Sequence, residues 1–452
     1  MNIRSRKKRI VTLDRNHLWH PFTQMQEWAE ETPVIITEGR GVFLKDILGR
    51  WYLDGVSSLW VNVHGHRKQE IDDAIKEQVD RISHSTLLGL ASPPAAELAA
   101  QLAGMAPAGL SRVFYSDNGS TAVEVALKMA FQYWKQRGQE QKSAFVCLHN
   151  AYHGDTLGAV SVGGIDLFHR IFSPLLFRAH RIPSPYCYRC ELGKRHPACG
   201  LFCLQKAEEI IRRHKDETAA LIIEPLVQGA GGMIAAPDGY LKGIRRLCRK
   251  YGILMIADEV ATGFGRTGTM FACEQEQVAP DILCLAKGMS GGYLPLAATM
   301  TTEKIYRAFL GKYHECKTFF HGHTYTGNQL ACAAGLASLR VFRKERTLQK
   351  MAKKILFLGK ELARIAGLDN VGDVRQRGFM VGIELVKDKK TREPWPIDEK
   401  VGWKVCARAR DKGLLIRPLG NVVVLMPPLS ISTAELKSLT RITGEAIREA
   451  TG

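Results

Sequence analysis

No stretch of roughly 18 apolar residues occurs in this sequence, so no membrane-spanning helix is expected. The first residues carry neither an apolar core nor a small-residue cleavage site, and no secretion signal is expected either. Acidic residues are scarce relative to basic ones, 45 against 63, which leaves a formal net charge of +18. An excess of that size can serve nucleic acid or an anionic surface. Here the basic residues are spread along the chain, and no zinc-finger, basic-zipper or RNA-binding pattern accompanies them. The densest run, Arg4 to Arg9, reads as a solvated segment. The expectation is therefore a soluble protein that handles small anionic ligands, with no nucleic-acid and no membrane partner. Eleven cysteines, scattered and odd in number, argue against a disulfide framework and for a reducing cytoplasm.

What is present is an ordinary globular composition, 45% apolar over 452 residues. That length suits one large core with a smaller satellite domain. The middle of the chain alternates short apolar runs with amphipathic stretches. Strands are predicted at Arg112–Tyr115, Ala144–Leu148, Ala219–Ile223, Ile253–Ala257 and Asp281–Ala286, with helices over Thr121–Arg137, Gln205–His214 and Tyr240–Tyr251. Strands that lack polar alternation and are separated by helices predict an α/β fold whose mostly parallel sheet is covered on both faces. The two ends read as parts of one small α+β domain, giving boundaries of 1–57, 58–336 and 337–452. Ligands of such sheets bind at the carboxyl ends of the strands.

Polar residues stand at those ends. Ser116-Asp117-Asn118-Gly119-Ser120 joins a strand to a helix, where free N–H groups and a hydroxyl suit a phosphate. Asp258 closes an apolar strand, so its carboxylate must face a cleft or a partner. Lys287 closes the next one, ahead of Gly288, Gly291 and Gly292, where loss of water would make its amine nucleophilic. Each has a plain structural reading by itself: an N-cap, a capping Asp, a surface Lys.

Together they say more. The segment Asp258-Glu259-Val260-Ala261-Thr262-Gly263-Phe264-Gly265-Arg266-Thr267-Gly268, followed by Lys287, resembles the signature of the class III (subgroup II) pyridoxal-phosphate (PLP) aminotransferases. The resemblance covers most of the chain. It implies PLP as cofactor, the PLP-dependent transferase fold type I, Lys287 as the Schiff-base lysine and Asp258 as partner of the ring nitrogen. Ala151-Tyr152-His153-Gly154-Asp155-Thr156 is similar to the family loop whose aromatic ring stacks on the cofactor, a role that falls to Tyr152. Gly119 and Ser120 take the phosphate loop, and Glu224 a position near the cofactor. His321-Gly322-His323-Thr324 matches the segment that reaches the neighbouring subunit's cofactor phosphate. Thr324 then implies a homodimer with shared active sites.

Four further segments, Leu18–Thr23, Gly55–Trp60, Val227–Met233 and Ile416–Gly420, resemble one branch of the family. Its members aminate 8-amino-7-oxononanoate to 7,8-diaminononanoate in biotin formation, with S-adenosylmethionine or lysine as amino donor. By that resemblance Arg417 anchors a substrate carboxylate, while Phe22, Leu59, Trp60 and Gly322 line the substrate side. Phe22, Leu59 and Val424 stand where adenosylmethionine users carry Tyr, Trp and Tyr. Losing those polar and aromatic groups favours a simpler, lysine-type donor. The alternative is a class III enzyme for an ω-amino acid such as 4-aminobutyrate or taurine.

One motif is left over. Cys187-x2-Cys190-x8-Cys199-x3-Cys203 could hold zinc or an iron–sulfur cluster, or be a loop of free thiols. No metal is assigned from the sequence.

Overall fold

The computed structural model describes residues 2–452. Its centre is a seven-stranded sheet of β1 (Leu110–Ser116), β2 (Ala144–Leu148), β3 (Ala179–Ile182), β4 (Thr218–Ile223), β5 (Leu254–Asp258), β6 (Ile282–Leu285) and β7 (Ala297–Thr302). The order across the sheet is β1-β7-β6-β5-β4-β2-β3. Only β7 runs against its neighbours, β6 and β1; the other pairings are parallel.

The five apolar runs read from the sequence are β1, β2, β4, β5 and β6, while β3 and β7 were not read there; the lack of alternation has a visible cause. β4, β5 and β6 are buried at every position. Val146, Leu148, Leu221, Ile223, Met255, Ala257, Leu283 and Leu285 pack in one core layer with Tyr240, Leu241 and Ile244 of the helix Tyr240–Tyr251. Phe145, Cys147, Ala220, Ile222, Leu254, Ile256, Ile282 and Cys284 pack in the other layer, under the helix Gly119–Gln136. Both faces need apolar side chains, and each fully buried Leu or Ile contributes roughly 1.5–3 kcal/mol.

The chain ends meet. Strands Ile36–Arg40, Phe43–Asp46 and Trp51–Asp54 form a sheet whose fourth member is Leu414–Leu415, with Leu53 opposite Leu414. A second, antiparallel sheet comprises Val371–Arg377, Met380–Asp388, Val422–Leu425 and Arg417–Leu419. The helix Gln329–Lys344 spans residue 336, where the large and small parts of the chain are expected to join. At the N-terminus the basic run is helical, within Ile3–His17. Asn2 caps that helix by accepting from the Ser5 N–H (2.9 Å), and none of its residues is buried. No helix among the described residues is long and apolar enough to cross a membrane.

Candidate active site

The carboxyl ends of β4, β5 and β6 lie side by side, because Ala257 pairs with Ile223 and Asp258 with Cys284. At these ends stand Glu224, just after β4, Asp258, the last residue of β5, and Lys287, two residues past β6. All three line one cleft of about 500 Å³, together with Gly119, Ser120, Tyr152, His153 and Trp60. Parallel pairing in register therefore gathers groups that are far apart in the chain.

Lys287 is held in a tight turn with φ +41, a strained backbone for a residue with a side chain. Gly288 is required beside it, since a Cβ there would stand 2.8 Å from that of Phe264. The Lys287 amine lies 5.0 Å from the centre of the Trp60 ring. Burial pulls its pKa below the ordinary lysine value, against the opposing pull of Asp258 and Glu224. A larger share of the amine is then unprotonated and nucleophilic near neutrality.

Asp258 is 5% exposed. Its Oδ2 lies 2.7 Å from His153 Nδ1, and its Oδ1 accepts from the Val260 N–H (3.1 Å). An ionised carboxylate only accepts, so Nδ1 carries the proton. His153 Nε2 is buried in the cleft wall with no partner among the described residues. Sequence reasoning passed over this histidine. Its signal was there, a titratable ring between Tyr152 and Gly154 in a quoted motif, but nothing local says that it points at Asp258.

Glu224 accepts from the N–H groups of Gly229 (2.9 Å) and Tyr152 (3.2 Å). Burial pushes its pKa up to about 7; Asp258 adds to the rise and His153 opposes it. The folded chain thus holds this proton more tightly than the unfolded chain, where a glutamate titrates near 4.5. The ionised form is disfavoured, and stability falls as pH rises from 4.5 to 7 by about 3 kcal/mol. E224Q in the cofactor-free enzyme should recover most of that at pH 8 and little at pH 4. Urea unfolding at the two pH values checks this; equal effects at both would contradict it.

The helix Gly119–Gln136 starts at the cleft. Asn118 caps it, accepting from the Thr121 N–H (3.1 Å), while Thr121 accepts from the Asn118 N–H (3.2 Å). The cap reading of this segment is thus realised at the edge of the cleft. Gly119 leaves room for Val260, whose Cγ1 would stand 2.6 Å from an added Cβ. Ser120 Oγ accepts from the Asp155 N–H (3.2 Å). The Tyr152 hydroxyl donates to Asp155 Oδ2 (2.7 Å), which fixes the ring in the cleft wall.

Trp60 owes its place to an unusual backbone. Ser57, Ser58 and Trp60 all have positive φ, between 52° and 63°. Asp54, 1% exposed, holds the bend by accepting from the Ser58 N–H (2.8 Å) and lying 3.0 Å from His66 Nε2.

The other expected site residues are not in this chain's own cleft. Phe22 is 61% exposed and meets Phe168 edge-on at 5.4 Å; Phe168 in turn borders Tyr152. Leu59 is exposed beside buried Trp60. Gly322 and Thr324 are exposed, with the Thr324 carbonyl 2.8 Å from His84 Nε2. Arg417 is exposed on its strand.

A nucleophilic amine, a carboxylate oriented by a histidine, an aromatic wall and a helix N-terminus face one another across a cleft of cofactor size. The unpartnered His153 Nε2 and the cradle at Gly119 mark this as a wall built for a bound group, and the donor set suits PLP: amine for the aldehyde, carboxylate for the ring nitrogen, N–H groups for the phosphate.

Comparison with known proteins agrees. The family profile described as "Aminotransferase class-III" matches residues 24–447. The chain is 57% identical to the adenosylmethionine-8-amino-7-oxononanoate aminotransferase of Geobacter sulfurreducens, over 97% of each chain. The crystal structure of the like-named enzyme of Methanocaldococcus jannaschii superimposes with a TM-score of 0.94 at 48% identity, covering 98% of this chain and 99% of that one. The ω-transaminase of Pseudomonas jessenii, in complex with PMP, superimposes equally well at 29% identity, over 98% of each chain. Fold and site together define a PLP-dependent aminotransferase of fold type I. The chain belongs to the class III aminotransferases.

Proposed function

We propose that this enzyme aminates the ketone of 8-amino-7-oxononanoate to give 7,8-diaminononanoate, a step of biotin formation. The observation that carries the reading is the set of relatives 48–57% identical over nearly the full chain, all named for amination of that acceptor. The shared fold does not discriminate, since an ω-transaminase superimposes equally well.

In this reading the site works as follows. Bound PLP supplies an electron sink conjugated to the amine-bearing carbon of the substrate. Lys287 Nζ takes the proton from that carbon and, in the second half-reaction, delivers one to the former carbonyl carbon of the acceptor. Asp258, fixed by His153, holds the proton on the ring nitrogen. Gly119 and Ser120 offer N–H groups to the phosphate, and Tyr152 covers one ring face. Glu224, close to half protonated at neutral pH, limits the negative charge beside Lys287.

Arg417 is the anchor for the substrate carboxylate. It stands exposed on the strand Arg417–Leu419, which supports that role. Trp60, Phe22 and Leu59 bound the substrate side. Gly322 and Thr324, exposed outside their own cleft, serve the cleft of a second copy in a homodimer. The two chain ends act as one small domain, 1–57 with 337–452, around 58–336, and the enzyme works in the cytoplasm.

For the amino donor we infer lysine rather than S-adenosylmethionine. Phe22 offers no phenol, Leu59 no indole, and Val424 is buried (1% exposed) in its strand, so a sulfonium would find little to hold it. Single-turnover absorbance of the holoenzyme, with each donor added alone, tests both points. Lysine should convert the cofactor to its amino form, and the amino form should be reoxidised by 8-amino-7-oxononanoate. Conversion by S-adenosylmethionine alone would refute the donor assignment. Reoxidation by a 4-aminobutyrate-derived semialdehyde but not by the oxononanoate would refute the substrate.

A further inference from the structure

The cysteine motif lies outside the cleft, and the transamination chemistry does not use it. The fold nevertheless gathers it. Cys187, Cys190, Cys199 and Cys203 all line one small cavity of about 20 Å³, beside Lys194 and His196. That is room for about one water-sized occupant. None of the four is in a disulfide.

Turns aim the four residues inward. Gly193, at φ +64, closes a turn on the Cys190 carbonyl (3.0 Å). Gly200 and Leu201, at φ +55 and +59, swing the chain into the helix Phe202–His214. Cys203 sits in the first turn of that 13-residue helix, where the helix dipole favours a thiolate.

We propose that Cys187, Cys190, Cys199 and Cys203 bind one zinc ion through four thiolates. The exchange balances without electron transfer: one Zn²⁺ displaces four S–H protons, which pass to solvent, and leaves a tetrahedral site of charge −2. Zinc suits four sulfurs because it imposes no redox chemistry and no d-electron geometry.

The sulfurs are splayed in this structure, with no three of them within 4.8 Å of one another. A tetrahedral site with Zn–S of about 2.3 Å needs S···S of about 3.8 Å. Rotation about χ1 moves a sulfur by up to about 3 Å, so the backbone need not move far. The closer trio elsewhere, His180, His214 and Glu217, is already closed upon itself: one Glu217 oxygen lies 3.0 Å from the first ring and 2.5 Å from the second.

The site would act as a staple. Tyr186 and Arg189 of this segment both bond Glu384 of the strand Met380–Asp388. Glu191 accepts from the Ser184 N–H (2.8 Å) and lies 2.7 Å from His149, just ahead of the loop that carries Tyr152 and His153. Zinc would thus brace that loop from behind while touching no substrate.

Elemental analysis of the purified holoenzyme, expressed with added zinc and dialysed, should give about one zinc per chain. A mercurial thiol reagent should release it. Cobalt substitution of the wild-type chain should produce sulfur-to-cobalt charge-transfer absorption, and metal removal should lower the thermal midpoint. C190S/C199S should lose the zinc yet keep the visible absorbance of bound PLP. Lys287→Ala should keep the zinc, which separates this site from the catalytic one. The proposal is overturned by metal-free protein whose four thiols react freely, by iron in place of zinc, or by a disulfide among these cysteines. If the double variant does not fold, the cobalt spectrum of the wild type decides.

Discussion

Lys287→Ala should lower the rate of both half-reactions by at least about 10⁴-fold, or about 5.5 kcal/mol in the barrier. The size follows from what one amine does at this site. Among the described residues it is the only amine lining the cleft, so the variant loses the covalent tether of the cofactor and the proton carrier together. No other group in the wall combines its reach with its lowered pKa. Single-turnover absorbance with the amino donor reads the effect directly, and a fall of less than tenfold would contradict the role. Folding should survive, because truncating a buried amine also removes its desolvation cost. An unchanged thermal midpoint of the cofactor-free protein would establish that the loss is chemical. Added methylamine should restore part of the proton transfer, since the cavity left by the side chain opens on the cleft.

Asp258→Asn should cost roughly 10²–10³-fold, the scale of removing one preorganised charge from a buried reaction site. The amide oxygen can still accept from His153 Nδ1, which puts the amide nitrogen in the place of Oδ1, against the Val260 N–H. That nitrogen donates a proton where the carboxylate would accept one, so the ring nitrogen is left unprotonated. His153→Phe should be milder, about 10- to 100-fold, the range for partners that orient a charged ligand. It keeps the charge of Asp258 and removes only its anchor at 2.7 Å. The two effects should not add, because both act through one carboxylate. A double variant as slow as the product of the two single losses would argue against a shared role.

How far the sequence reaches is seen by comparing these residues. Asp258 and Lys287 were legible because each follows an apolar run without alternation, the mark of a strand buried on both faces, and Glu224 was added by the family resemblance. Parallel strands put their carboxyl ends on one edge, so the three could be placed together before any coordinates were known. Gly119 and Ser120 were legible as a strand-to-helix turn, although cap and anion site could not be separated there. The helix at Ile3–His17 was missed: its charges have no apolar stripe to betray a period, and it buries nothing.

Other features lay beyond local reading. His153 looks like any loop histidine until the crossover after β2 brings it to β5. Trp60 owes its place over Lys287 to three left-handed residues pinned by Asp54, and no pattern in Ser57-Ser58-Leu59-Trp60 announces that bend. The spacing of the four cysteines favoured free thiols over a metal, and only the turns at Gly193 and Gly200 set all four around one cavity.

The sequence by itself determined five of the seven strands, their ends and the family, because these rest on periodicity and on contiguous motifs, which are local. The tertiary structure decided which groups touch. A hydrogen bond of 2.7 Å between residues 105 apart in the chain depends on how the elements between them pack, and that packing is a property of the whole core.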